Sequence, residues 1–98
     1  MSQDDHFYRQ GQNLSTFWKR KDLEHVESLG LHAVEEGNWY PVIFHILSML
    51  YRKQHRLKDE KRILEIGIER NKRNPGVARR DFIKRLDRVN KLIDSSKM

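Results

Sequence analysis

Sliding the 98-residue sequence against itself by 34 positions brings Phe17 onto Tyr51, Lys19 onto Lys53, Leu23 onto Leu57, Leu29 onto Ile63, Ala33 onto Gly67, Val34 onto Ile68, Glu35 onto Glu69 and Pro41 onto Pro75. The coincidences fall mostly at apolar or small positions. A period of this length holds a helix, a tight turn and a second helix, which is the spacing at which helical hairpins stack into a solenoid.

The local pattern predicts five helices and no strand. Ser2 with Asp5 three residues on is a capping-box-like start, and Phe7, Gly11, Leu14 and Trp18 recur at helical spacing over about 3–20. Asp22 caps a second helix of about 23–36, in which Leu23, Val26, Leu29, Gly30, Ala33 and Val34 keep the same rhythm and Gly37 offers a left-handed stop. Pro41 suits the first turn of a third helix running to about 54. That segment, with Val42, Ile43, Phe44, Ile46, Leu47, Met49, Leu50 and Tyr51, is apolar around most of its circumference and is the expected centre of the core. Leu57, Ile63, Leu64, Ile66, Gly67 and Ile68 form a fourth stripe over about 58–72. Its acids Asp59 and Glu60 sit near the positive end, as the helix dipole favours. Asn74-Pro75 reads as cap and first residue of a last helix, whose Ala78, Phe82, Leu86, Val89 and Ile93 share one face and which ends near Asp94 before a frayed tail.

These elements fit one domain spanning 1–98, with a first hairpin at 7–40, a second at 41–74 and a capping helix at 75–95. The chain is 35% charged and 37% hydrophobic, enough apolar material for a core beneath a heavily solvated surface. No apolar run approaches the length of a membrane span, and the acidic start Met1-Ser2-Gln3-Asp4-Asp5 leads into no signal core. Zero cysteines exclude disulfides and thiolate chemistry and fit a reducing, cytoplasmic setting.

Residues 41–74 resemble a tetratricopeptide repeat. Phe44 stands as the large residue of the first helix, Leu47-Ser48 as the leucine and small pair, Tyr51 closes that helix, Leu57 follows the turn, and Leu64 and Gly67 fit the second helix. Glu60 occupies the family's small position in that helix and the terminal proline is displaced to Pro75. Residues 7–40 match through Leu14, Phe17, Leu23 and Ala33, while Asn13 and Gly30 replace apolar or aromatic residues. Close helix packing requires most of the same residues whatever the function. Two hairpins are also fewer than the three or so units a free-standing solenoid needs, so the last helix acts as a cap or the chain pairs with a second copy as a homodimer.

The resemblance implies that the first helix of each unit lines a groove for an extended peptide or a partner helix. By position the groove residues are Tyr8, Gln12, Ser15, Trp18 and Lys19 from the first unit, and His45, Met49, Arg52 and Lys53 from the second. Gly11, Ser15 and Ile46 stand where chaperone-binding members carry their Lys and Asn carboxylate clamp, which disfavours that ligand. Trp18 and Arg52 are residue types that dominate binding hot spots. For Trp18, packing at the edge of the core is the plain alternative.

Charge supplies a rival class. Residues 51–98 carry sixteen Lys or Arg against seven acids, a net +9, whereas residues 1–50 carry four against seven, or −3. Such asymmetry marks a surface for phosphate or acidic partners. Arg80, Lys84, Arg88 and Lys91 recur three or four apart, opposite the apolar stripe of the last helix, with Arg70, Lys72, Arg73, Arg79 and Arg85 close in sequence. That row could track a nucleic-acid backbone, although a solvated helix face, broken by Asp81 and Asp87, explains it as well.

Chemistry has little to stand on. His6, His25, His32, His45 and His55 are scattered without metal-ligand spacing, and there is no glycine-rich phosphate loop or nucleophile elbow. The sequence therefore points to an all-α chain of antiparallel helical hairpins that is not an enzyme and needs no metal or cofactor. The expected role is a small adaptor or regulatory binder of another protein, with nucleic-acid binding and self-association into a larger assembly as alternatives.

Overall fold

Five helices and no strand make up the described residues, 3–73 and 76–96, of the computed structural model. They are α1 (Gln3–Lys19), α2 (Leu23–Glu35), α3 (Pro41–Lys53), α4 (Leu57–Arg70) and α5 (Val77–Ser96). The chain is all-α, and each helix lies within a few residues of its expected bounds. The expected caps Ser2, Asn74 and Pro75 lie outside the described residues. The end expected near Asp94 needs correction: α5 continues through Ser96, whose Oγ donates to the Ile93 carbonyl at 2.8 Å.

Local chemistry explains the remaining ends. The Asp22 carboxylate caps α2 by accepting from the His25 backbone N–H at 3.5 Å and from its ring Nδ1 at 2.7 Å. Gly37 stops the chain after α2 at φ +92°, and Pro41 opens α3 in its first turn.

The two hairpin turns repeat each other 34 residues apart, bond for bond. Lys21 and His55 take up left-handed conformations at φ 61° and 58°. The Asp22 N–H donates to the Phe17 carbonyl at 3.1 Å and the Arg56 N–H to the Tyr51 carbonyl at 2.8 Å. One residue earlier, Lys21 donates to Trp18 and His55 to Arg52, both at 3.1 Å. Each turn is thus a Schellman closure that satisfies the last carbonyls of its helix.

Helix α3 touches all four others, as its apolar circumference predicts. Three of its neighbours approach through a glycine: an added Cβ would lie 2.8 Å from Val42 at Gly11 of α1, 2.6 Å from Leu47 at Gly30 of α2 and 2.9 Å from Phe44 at Gly67 of α4. Leu14, Val26, Ile43, Phe44, Leu47, Leu50, Leu64, Phe82 and Val89 form one continuous core around it. The extents of 50 × 31 × 20 Å describe a slab, the shape of hairpins laid side by side.

Buried polar groups lock the units together. Asn38 donates from Nδ2 to the Phe7 carbonyl at 3.0 Å, and Asn71 donates to the carbonyls of Trp39 and Gly67 at 3.0 and 2.9 Å, so each fastens the end of one hairpin to the start of a first helix. Arg70 crosses from α4 to the end of α2, where its Nη1 donates to the carbonyls of Val34 and Asn38 at 2.7 and 2.8 Å.

Candidate functional site

Buried Phe82 and Val89 fasten α5 to the core, with Phe82 edge-on to Phe44 at 6.4 Å between ring centroids. Helical periodicity then turns Asp81, Arg85 and Arg88 toward α3, one stripe over from the buried one. On α3 the facing stripe is Val42, His45, Met49 and Arg52 with Lys53. Between the two helices lies a groove made of two neighbouring clefts, one at each end.

The first end is a cleft of about 510 Å³ lined by Pro41, Val42, His45, Val77, Ala78, Asp81 and Phe82. It is apolar apart from His45 and Asp81. The second end, about 370 Å³, is lined by Met49, Arg52, Lys53, Arg85 and Arg88. Both helices contribute their early residues to the apolar end and later ones to the basic end, so α3 and α5 run parallel.

His45 and Arg85 stand where the two ends meet, with Arg85 Nη1 3.1 Å from His45 Nδ1. Arginine can only donate, so Nδ1 carries the lone pair and the imidazole is neutral. Partial burial and the nearby Arg85 charge hold the His45 pKa below its usual value, and Asp81 opposes them weakly. At the basic end, Arg52 Nε donates at 2.7 Å to Oε1 of Glu60, a fully buried carboxylate. Lys53 and Arg88 are exposed and have no hydrogen bond or ion pair among the described residues.

The expected groove residues therefore separate. His45, Met49, Arg52 and Lys53 of the second unit all line the α3–α5 groove. Those of the first unit lie elsewhere. Tyr8 is 52% exposed, accepts from Gln12 Nε2 at 2.7 Å and meets the Tyr40 ring edge-on. Ser15 is half-buried, Lys19 is exposed at the end of α1, and Trp18 packs against the core.

The expected phosphate-binding row also divides. Arg88 belongs to the basic end, Arg80 and Lys84 border a third recess with Val77 and Asp81, and Lys91 is paired with Asp87 at 3.2 Å. Arg70 is committed to the end of α2 and Lys72 to Glu69 at 2.9 Å. The apolar lining from Pro41, Val42 and Val77, and the role of Arg85, were not read from the sequence as parts of a site. The signal for Arg85 was its spacing from Asp81 and Arg88 on one helical face.

Among the described residues no group of three or more His, Asp or Glu is placed to hold a metal ion, and no helix is long and apolar enough to cross a membrane. The histidines are less scattered than their spacing suggests, since His6 and His32 both reach Glu36, at 3.3 and 3.0 Å. Comparison with protein-family models, with curated proteins and with solved structures returns no match.

Proposed function

We propose that this chain is a non-enzymatic protein-interaction module, a small cytoplasmic adaptor or regulatory binder that holds a segment of another protein between α3 and α5. The observation that carries this reading is the two-ended groove itself. An apolar cleft beside a basic one, between the same two helices, matches the anatomy of a peptide site, in which apolar pockets anchor and charges orient. The parallel α3 and α5 and the hairpin turns repeated at a 34-residue interval support a tetratricopeptide-like stack, with α5 in the place of a further first helix.

The test is capture from nuclease-treated lysate with three forms of the protein. The native chain should retain a stoichiometric protein, which Val77→Asp with Arg88→Glu releases. Arg62→Glu, a charge reversal on the exposed face of α4, should retain it. Retention by the groove variant, or loss of all bound material on nuclease treatment, would refute the reading.

A further inference from the structure

We infer that the occupant of the groove is an acidic segment with a large apolar residue, lying with its apolar residue against Val42, Val77 and Ala78 and its carboxylates against Lys53, Arg85 and Arg88. This rests on the groove reading above and adds to it the chemistry and the register of the partner.

Charge complementarity sets the chemistry. The basic end gathers Arg52, Lys53, Arg85 and Arg88 around one cleft, and among the described residues the only carboxylate bonded to any of them is Glu60, buried behind Arg52. Burial penalises the Arg85 cation, the nearby charges of Asp81 and Glu60 offset that only in part, and a guanidinium stays charged in any protein. A carboxylate arriving from outside relieves that penalty. A basic or neutral segment would leave it in place, which is discrimination against the wrong partner as well as attraction for the right one.

Register follows from the helix. The apolar lining centres near residue 43 of α3 and the basic lining near residue 51, about eight residues apart, or about 12 Å at the rise of an α-helix. An extended segment spans that distance in about four residues. The bound motif is therefore a large apolar residue followed or preceded, about four positions away, by a cluster of Asp or Glu.

Several of the chain's own acids are already engaged elsewhere. Glu27 is held by Arg56, Glu36 by His6, His32 and Gln10, Asp22 by His25, and Asp4 by the Tyr40 hydroxyl. A second copy would have to break these contacts to offer the same carboxylates.

The experiment is selection of a displayed library of random peptides, about a dozen residues long, on the full chain and on its Val77→Asp and Lys53→Glu/Arg88→Glu variants. The expected result is enrichment on the native chain of acid-rich peptides with a large apolar residue about four positions from the acids, each variant lowering their affinity tenfold or more. That affinity should also fall severalfold between about 50 and 500 mM salt. Peptides that depend on Val77 but show no acidic enrichment would overturn the acidic chemistry and leave the groove reading standing. An absence of any groove-dependent peptide would overturn both. Displacement of the peptide by an equal concentration of single-stranded DNA would give the basic end to phosphate and overturn the proposal. So would a dimer of the free chain in sedimentation that Arg88→Glu dissolves.

Discussion

Glu60 is fully buried in α4, with Arg52 of α3 2.7 Å from its Oε1 and no hydrogen-bond partner for its Oε2 among the described residues. Arg52 thus has two duties: it lines the basic end of the groove, and it is the partner of a carboxylate that burial would otherwise strand. Removing one member of a buried pair costs more than the pair itself contributes, because the remaining charge is left desolvated. Arg52→Ala should destabilise the fold by about 3 kcal/mol in urea unfolding. Adding Glu60→Leu should recover most of that loss. If the single variant is as stable as the native chain, the pair carries no structural weight. Since Arg52→Ala perturbs the fold, Lys53 and Arg88 are the better probes of binding.

The approach of α4 to α3 makes a second quantitative expectation. A Cβ at Gly67 would sit 2.9 Å from Phe44 Cγ and 3.0 Å from its Cβ, both close to the α3 backbone and unable to swing away. Alanine gains about 1 kcal/mol in helix propensity over glycine, whereas overpacking a tight core costs about 1–3 kcal/mol. Gly67→Ala should therefore be net destabilising. At Gly11 the clash is with a single Val42 methyl at 2.8 Å on a half-buried side chain, so Gly11→Ala should cost less. Equal or reversed midpoints in chemical denaturation would contradict this ranking.

Helix positions were legible in the sequence because apolar spacing and the signals at Asp22, Gly37 and Pro41 act within a few residues of each other. The period of 34 likewise foreshadowed the duplicated turns. What depends on tertiary neighbours was hidden. Glu60 reads as a carboxylate suited to the start of a helix, and only the arrival of Arg52 eight residues back turns it into a buried group. Asn38 and Asn71 look like loop residues until the carbonyls they satisfy are in place. The basic row on α5 looked uniform because sequence cannot say that Lys91 is spent on Asp87 or that Arg88 faces α3. The groove was half legible: the α3 stripe was read, but the choice of α5 as its opposite wall depends on how α4 places the last helix.

The duplicated turns provide a paired test. Lys21 and His55 occupy left-handed positions at φ 61° and 58°, where a Cβ meets the following carbonyl and glycine does not. Lys21→Gly and His55→Gly should each raise stability, by up to about 1 kcal/mol, and by similar amounts because the turns share their hydrogen bonds. Thermal melts of the two variants should shift upward together. A loss at either site would show that the native side chain contributes more than its backbone strain costs.

Glu27 gives the fold a dependence on acid. Its carboxylate accepts from Arg56 at 2.9 Å and from the Tyr51 hydroxyl at 3.1 Å. The Arg56 bond is the main cause that lowers its pKa below the usual carboxylate value, the Tyr51 bond adding to it and partial burial opposing. A carboxylate with a depressed pKa in the folded state adds stability that is complete above its unfolded pKa and is lost as pH falls through the folded one. Glu27→Gln should therefore cost about 1 kcal/mol at neutral pH. The difference from the native chain should shrink as pH falls below the carboxylate range. A difference independent of pH would assign the effect to packing instead.

His45 adds a second window at higher pH. Its folded pKa lies below the usual 6.5 because burial and Arg85 both disfavour the imidazolium, with Asp81 opposing. The unfolded chain therefore binds more protons just below that value, so stability falls as pH drops from neutral through 6.5 toward the lower folded pKa. Charging the ring would also remove the lone pair that accepts from Arg85 at 3.1 Å, leaving two cations face to face at the middle of the groove. His45→Gln keeps an acceptor for Arg85 and cannot titrate. The variant should lose the decline in stability between neutral pH and the carboxylate range while keeping the acid loss due to Glu27. A native decline that survives this substitution unchanged would mean that another group titrates there.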